Sequence, residues 1–209
     1  MTELTPPRTR SRTPLVLIIL LSLAPVLAAV LVYFNPQWRP DGSVAYGTLI
    51  EPQRPIPARA ALEATTLDGQ PFDVETLRGK WLLVAADSGD CQDACARKLF
   101  ILRNSHASQG KNVERLARIW FITDDAPVPA KVLEAYKGTV MLRIKPEQLK
   151  AFLMTETAAS TVATAASALA EPMWIIDPHA NLILQYPANA EPEKVRGDIS
   201  KLVRNSRIG

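Results

Sequence analysis

The chain has two cysteines, and they stand together with three residues between them in Cys91-Gln-Asp-Ala-Cys95. Two thiols about one helical turn apart can oxidise each other or share a soft metal ion. If both sat in a helix, Cβ atoms at i and i+4 would lie about 5–6 Å apart, whereas a relaxed disulfide needs about 3.8 Å. Closing the bond would distort the first helical turn, which predicts a bond more easily reduced than a structural staple. A metal is less demanding, since two metal–sulfur bonds of about 2.3 Å, the length known for zinc, accept sulfurs up to about 4.6 Å apart. Soft thiolates suit Cu(I). An inert buried pair with no chemistry is the third reading. A helix N-terminus would lower the pKa of Cys91, while Asp87, Asp90 and Asp93 would raise it by like-charge repulsion with the thiolate.

The elements that would position this pair follow from periodicity. Trp81 to Ala86 is a continuous apolar run suited to a strand covered on both faces. Ser88, Gly89 and Asp90 supply turn and cap chemistry, so a helix is expected to start at Asp90 or Cys91, with Cys95, Leu99 and Leu102 on its apolar face. Asp68-Gly69 marks a hairpin between Thr65 to Leu67 and Pro71 to Val74. Further strands are expected at Ile119 to Thr123, Thr139 to Ile144, Met173 to Ile176 and Leu182 to Tyr186, with helices at Lys131 to Tyr136, Pro146 to Met154 and Pro192 to Val203. Strands alternating with helices, then a hairpin and a final helix, imply an α/β fold: a mixed sheet with helices on both faces. Thr157 to Ala170 is uncharged and rich in Ala, Ser and Thr, a composition compatible with a helix or a loop.

Leu15 to Phe34 carries no charge and at about 1.5 Å rise per residue spans a hydrocarbon core of roughly 30 Å. The run is longer than the apolar region of a cleavable signal peptide and ends in Val-Tyr-Phe-Asn-Pro, which favours an uncleaved anchor. Arg8, Arg10 and Arg12 outweigh Glu3 ahead of it, so the positive-inside bias leaves the N-terminus in the cytoplasm and the rest on the exported side of the inner membrane. The organisation expected is therefore a cytoplasmic N-terminus (1–14), a transmembrane helix (15–34), a proline-rich tether (35–58) and one α/β domain (59–209). Trp38 and Arg39, just past the anchor, suit a headgroup layer and equally an ordinary linker. Without the charges ahead of the anchor the chain has 21 basic and 20 acidic residues, too balanced for a nucleic-acid-binding surface. An oxidising compartment permits the two cysteines to pair.

From about residue 60 onward the chain resembles the thioredoxin superfamily and, within it, the Sco (SenC/PrrC-like) family of membrane-anchored proteins that help assemble cytochrome c oxidase. The resemblance rests on Leu77-Arg78-Gly79-Lys80-Trp81 entering a hydrophobic strand, on the three-residue spacer between Cys91 and Cys95, and on Ile175-Ile176-Asp177-Pro178 opening the late hairpin. It implies a thioredoxin-like fold, Cys91 and Cys95 as a redox pair and as Cu(I) ligands, and a histidine about nine residues ahead of Pro178. Leu169 stands there instead. His106 falls about three helical turns beyond Cys95, and His179 lies in the hairpin turn, so neither is expected to substitute. Met154 or Met173 could offer a thioether, although methionine also fills cores. Pro172 occupies the place where thioredoxin-like redox proteins carry a cis-proline facing their cysteines; it could equally begin a strand.

Three functions follow from the resemblance. The chain could mature the copper site of a respiratory oxidase, by delivering copper or by keeping the oxidase's copper-binding thiols reduced. It could be a general thiol–disulfide oxidoreductase in which Cys91 attacks and Cys95 resolves. It could be a scaffold that kept the fold, with Thr157 to Ala170 as its docking surface. The partners implied are the membrane through residues 15–34 and an oxidase subunit or another copper or thiol protein.

Overall fold

The computed structural model describes residues 12–35, 38, 45–154 and 164–208. The chain divides into two units, Met1–Ser43 and Val44–Gly209. In the first, α1 (Thr13–Phe34) is a 22-residue helix that opens on Pro14, where a missing N–H costs nothing, and runs through Pro25. None of its residues is buried and its mean hydropathy reaches 3.1, so it is long and apolar enough to cross a bilayer. Arg8, Arg10 and Arg39 lie outside the described residues, as do residues 155–163.

The second unit is built on an eight-stranded mixed sheet. Its strands are β1 (Thr48–Pro55), β2 (Ala64–Thr66), β3 (Pro71–Phe72), β4 (Trp81–Asp87), β5 (Leu116–Ile122), β6 (Val140–Ile144), β7 (Met173–Ile176) and β8 (Asn181–Tyr186). They lie in the order β1-β8-β7-β4-β5-β6-β2-β3. The central strands β4, β5 and β6 are parallel, and β7 runs antiparallel to β4. The helices are α2 (Asp93–Ala107), α3 (Ala130–Ala135), α4 (Pro146–Leu153), α5 (Ala165–Leu169) and α6 (Pro192–Asn205).

Strand alternation assigns each side chain of β4 to one of two cores. Leu82, Val84 and Ala86 face a layer closed by Leu149, Phe152 and Leu153 of α4 and Leu169 of α5. Trp81, Leu83 and Ala85 face the opposite layer, closed by Leu99 and Leu102 of α2 and Val195, Ile199 and Val203 of α6. Both faces of the central strands are thus covered, which is why those strands read as unbroken apolar runs. The thioredoxin-like mixed sheet expected from the sequence is present, preceded by the apolar helix.

Residues 48–55, expected in the tether, form β1 on the sheet edge, and the second unit begins at Val44 rather than near Arg59. The prolines that suggested a tether are tolerated because an edge strand leaves one row of amides unpaired. Pro52 falls where the register with β8 shifts between Leu49 and Arg54. Ile50 and Ile56 are buried, and Arg54 donates to the carbonyls of Met154 (2.6 Å) and Leu153 (3.0 Å) at the end of α4. Of the biased segment Thr157 to Ala170, the described part is 164–170, which holds α5 with Thr164 as its N-cap in a reciprocal cap with Ser167.

Candidate functional site

The pair lies past the carboxyl end of β4. After Asp87 the chain turns through Ser88, Gly89 and Asp90, the Cys91 N–H donates to the Ser88 carbonyl at 3.2 Å, and α2 starts at Asp93. Cys91 and Cys95 form a disulfide with a Cα–Cα distance of 5.0 Å, inside the usual range of about 4.4–6.8 Å. The helix begins later than its expected start at Asp90 or Cys91. Cys91 instead stands outside it with φ of 45°, a left-handed conformation uncommon for any residue but glycine. The distortion expected of the first helical turn therefore does not arise, because one left-handed residue ahead of the helix brings the sulfurs together. Cys91 is 9% exposed and Cys95 2%, so Cys91 is the less buried residue of the pair.

Two side chains that the sequence reading passed over hold this turn. Lys98, one turn beyond Cys95 and 5% exposed, donates from Nζ to the Ala86 carbonyl (2.6 Å) and the Ala170 carbonyl (2.5 Å), and pairs with Asp87 Oδ2 at 2.8 Å. Burial pulls its ammonium below the ordinary lysine range, opposed by Asp87 and Glu171. Asp124, just past β5, accepts from Ser88 Oγ (2.5 Å) and the Gly89 N–H (2.8 Å). Burial acts to raise the Asp124 pKa, but hydrogen bonds from Ser88, Gly89 and Ala126 with the Arg143 charge hold the carboxyl below its usual value. Gly89 packs so closely on the loop after β5 that a Cβ there would overlap the Ala126 carbonyl oxygen. A lysine three residues beyond Cys95 and a Gly after a Ser were the available signals. Neither names its partner.

Other expected site residues are scattered. The cis peptide bond among the described residues is Glu51–Pro52, so Glu171–Pro172 is trans, and of the two readings open at Pro172 the cis-proline is ruled out and the proline that precedes a strand is found. Pro172 is buried immediately ahead of β7, whose first residue Met173 pairs with Ala85, so its missing N–H falls just before the ladder needs a donor. Leu169 is fully buried in the layer opposite the cysteines, with Met154. Met173 shares the cysteines' layer at 1% exposure. His106 lies in the last turn of α2, where burial and then the nearby Arg118 lower its pKa. His179 is exposed in the β7–β8 turn, next to Pro178, whose carbonyl accepts from Gly79 ahead of β4, at the far end of that strand.

This donor set bears on copper. Among the described residues no group of three or more His, Cys, Asp or Glu side chains could hold a metal ion. The two sulfurs, once reduced, fit a two-donor clamp for Cu(I). They do not fit the three-donor set implied by the Sco resemblance, because position 169 is a leucine turned into the other core.

A family model described as transmembrane-like, thioredoxin-like, C-terminal domain matches residues 81–206, more than half of the chain. The chain belongs to this family. No curated protein matches the sequence. Among solved structures, a thiol:disulfide interchange protein from Bacteroides sp. is 15% identical, with 74% of this chain and 91% of that chain covered and a TM-score of 0.52. A SCO1/SenC family lipoprotein from Bacillus anthracis is 14% identical, covering 73% and 98%, with a TM-score of 0.51. A copper-bound ScoI from Arabidopsis thaliana is 18% identical, covering 78% and 100%, with a TM-score of 0.49. The first two likenesses show the fold of this transmembrane-like, thioredoxin-like protein.

Proposed function

We propose that the Cys91–Cys95 pair is a reversible dithiol on a membrane-tethered thioredoxin-like domain, and that it keeps the copper-binding thiols of a respiratory cytochrome c oxidase reduced during assembly, by reducing the disulfide they form. The observation that carries the redox part is the placement of Cys91, the less buried residue of the pair, in a turn past β4 ahead of α2, with Cys95 in the first turn of α2. The oxidase context rests on the Sco resemblance. The exported, periplasmic side of the inner membrane is supported by the arginines ahead of α1.

In the reduced protein the Cys91 thiolate attacks one sulfur of a partner disulfide, forming a mixed disulfide and releasing the partner's other sulfur as a thiolate. Cys95 then loses its proton and attacks Cys91 Sγ, which closes the Cys91–Cys95 bond and frees the second partner sulfur. Two electrons pass to the partner, and two protons end on its thiols. An exported dithiol regenerates the pair by the same exchange in reverse. With other disulfide partners the same steps make the chain a general thiol–disulfide oxidoreductase.

Equilibration of the full chain in detergent with glutathione redox buffers tests this reading. A reduction potential between about −300 and about −120 mV is expected, the span of exchanging proteins. A value far below about −300 mV would mark a structural bridge and sink the reading.

Copper delivery is the second reading, favoured by the two soft sulfurs within reach of one Cu(I) ion. It requires one tight Cu(I) equivalent under anaerobic titration of the reduced chain, lost in Cys91→Ser. Affinity no better than that of an unrelated dithiol would exclude it.

A further inference from the structure

The Cys91 turn is held by its own hydrogen bonds and also by the loop after β5. Thr123 N–H donates to the Asp87 carbonyl at 3.0 Å, the last rung between β4 and β5. Immediately beyond it, the Asp124 carboxylate spans to the cysteine loop, with Oδ2 accepting from Ser88 Oγ at 2.5 Å and Oδ1 from the Gly89 N–H at 2.8 Å. Oδ1 also accepts from the Ala126 N–H at 3.2 Å, which folds the β5 loop around the same carboxylate. Arg143 of β6 closes the clamp from the other side. Its Nη1 donates to the Asp124 carbonyl at 2.5 Å and its Nη2 to the Ala126 carbonyl at 3.0 Å. The β5 loop thus grips Ser88 and Gly89 at the end of β4 and is itself held by Arg143 of β6.

These contacts matter because of where Cys91 sits. Its φ of 45° is disfavoured for a residue with a Cβ. In the oxidised chain the covalent bond to Cys95 maintains that conformation; after reduction only the turn maintains it. The turn is the Cys91 N–H bond to Ser88, and Ser88 is the residue that Asp124 grips. A dithiol whose backbone stays in the closed shape loses little entropy when the bond re-forms, whereas a freed loop must be reordered.

We propose that Asp124 is a positioning residue for disulfide exchange: by gripping Ser88 and Gly89 it keeps the Cys91 turn in its closed geometry after reduction and so sets the equilibrium between dithiol and disulfide. This rests on the redox reading of the pair. The reaction measured is protein dithiol plus oxidised glutathione giving protein disulfide plus two reduced glutathiones.

The test compares this equilibrium constant in the full chain, in detergent, for the wild type and three variants, alongside thermal unfolding of both redox forms. Asp124→Ala is expected to lower the constant about tenfold, which for a two-electron couple is a potential about 30 mV less negative. Ser88→Ala, which removes only the hydroxyl contact, is expected to lower it about threefold by the same loss of loop order. Asp124→Asn keeps a carbonyl oxygen for the Gly89 and Ala126 amides and is expected to stay nearer the wild type than Asp124→Ala.

A purely structural role would destabilise both redox forms equally and leave the constant within about twofold of the wild type in Asp124→Ala, and that result overturns the proposal. Should Asp124→Ala fail to fold, an unchanged constant in Ser88→Ala overturns it instead. A wild-type potential far below the exchanging range would sink the redox reading alone, since the ratio between variants still reports the clamp.

Discussion

The two faces of the sheet divide the chemistry unevenly. The layer under α2 and α6 holds Cys91, Cys95 and Met173, whereas the layer under α4 and α5 holds Leu169 and Met154 among aliphatic and aromatic neighbours. The backbone of the α5 segment does reach the site, because the Ala170 carbonyl accepts from Lys98. Its neighbour Leu169 nonetheless points into the other layer. A position aligned by sequence with a metal ligand can thus come close to a site in the chain and still direct its side chain away from it. The contrast favours sulfur exchange over three-donor metal binding.

The largest expected effect comes from breaking the link between the faces. Lys98→Met would leave Asp87 as a buried charge and two carbonyls without their donor, and breaking a buried ion pair costs about 3–5 kcal/mol. Urea unfolding of the oxidised chain checks it, and a loss under about 1 kcal/mol would show that the ion pair is not holding the site. Lys98 is embedded in the site, so its replacement is expected to disturb exchange as well.

Next in size is Leu169→His, which restores the residue type that the Sco resemblance implies. An imidazole in that layer is expected to cost about 3 kcal/mol, from lost packing and an unpaired polar group. It is also expected to leave Cu(I) affinity of the reduced chain unchanged, since the side chain faces away from the sulfurs. A gain of about tenfold or more in affinity, equivalent to about 1.4 kcal/mol, would show that the division between faces does not hold.

The smallest effect concerns His106, on the cysteines' face but at the far end of α2. Burial, with Arg118, places its folded pKa below the unfolded value of 6.5, so the folded state resists protonation. Stability is therefore greatest above 6.5 and falls as pH drops through 6.5 towards the lower folded pKa. Urea midpoints across this window should decline less in His106→Gln than in the wild type. Equal slopes would remove the histidine from the account.

Much of the architecture was legible in local pattern. The run at Trp81 to Ala86, the turn at Asp68-Gly69 and the opening of α4 and α6 on Pro146 and Pro192 lie where periodicity and cap chemistry put them, whereas β5 starts at Leu116, three residues before its expected start, and β3 ends at Phe72, short of Val74. β1 was illegible because its prolines report local backbone restriction, and only pairing with β8 reveals an edge on which they are tolerated. The start of α2 was misplaced by two residues or more because the left-handed state of Cys91 depends on a turn gripped from another strand. Pro172 was illegible in a different way, since isomer choice at an X-Pro bond is settled by surrounding structure.

The sequence by itself determined that an apolar helix precedes an α/β domain, and that two thiols stand after a buried strand. These are properties of composition and of periods of two and 3.6 residues, which act over a few neighbours. Only the tertiary structure decided that Cys91 lies outside the helix, that Leu169 faces away, and that Asp124 and Lys98 hold the site. Those partners are separated by 35 residues for Gly89 and Asp124 and by 72 for Lys98 and Ala170. Which of them meet is set by the order of the strands, and no local period encodes it.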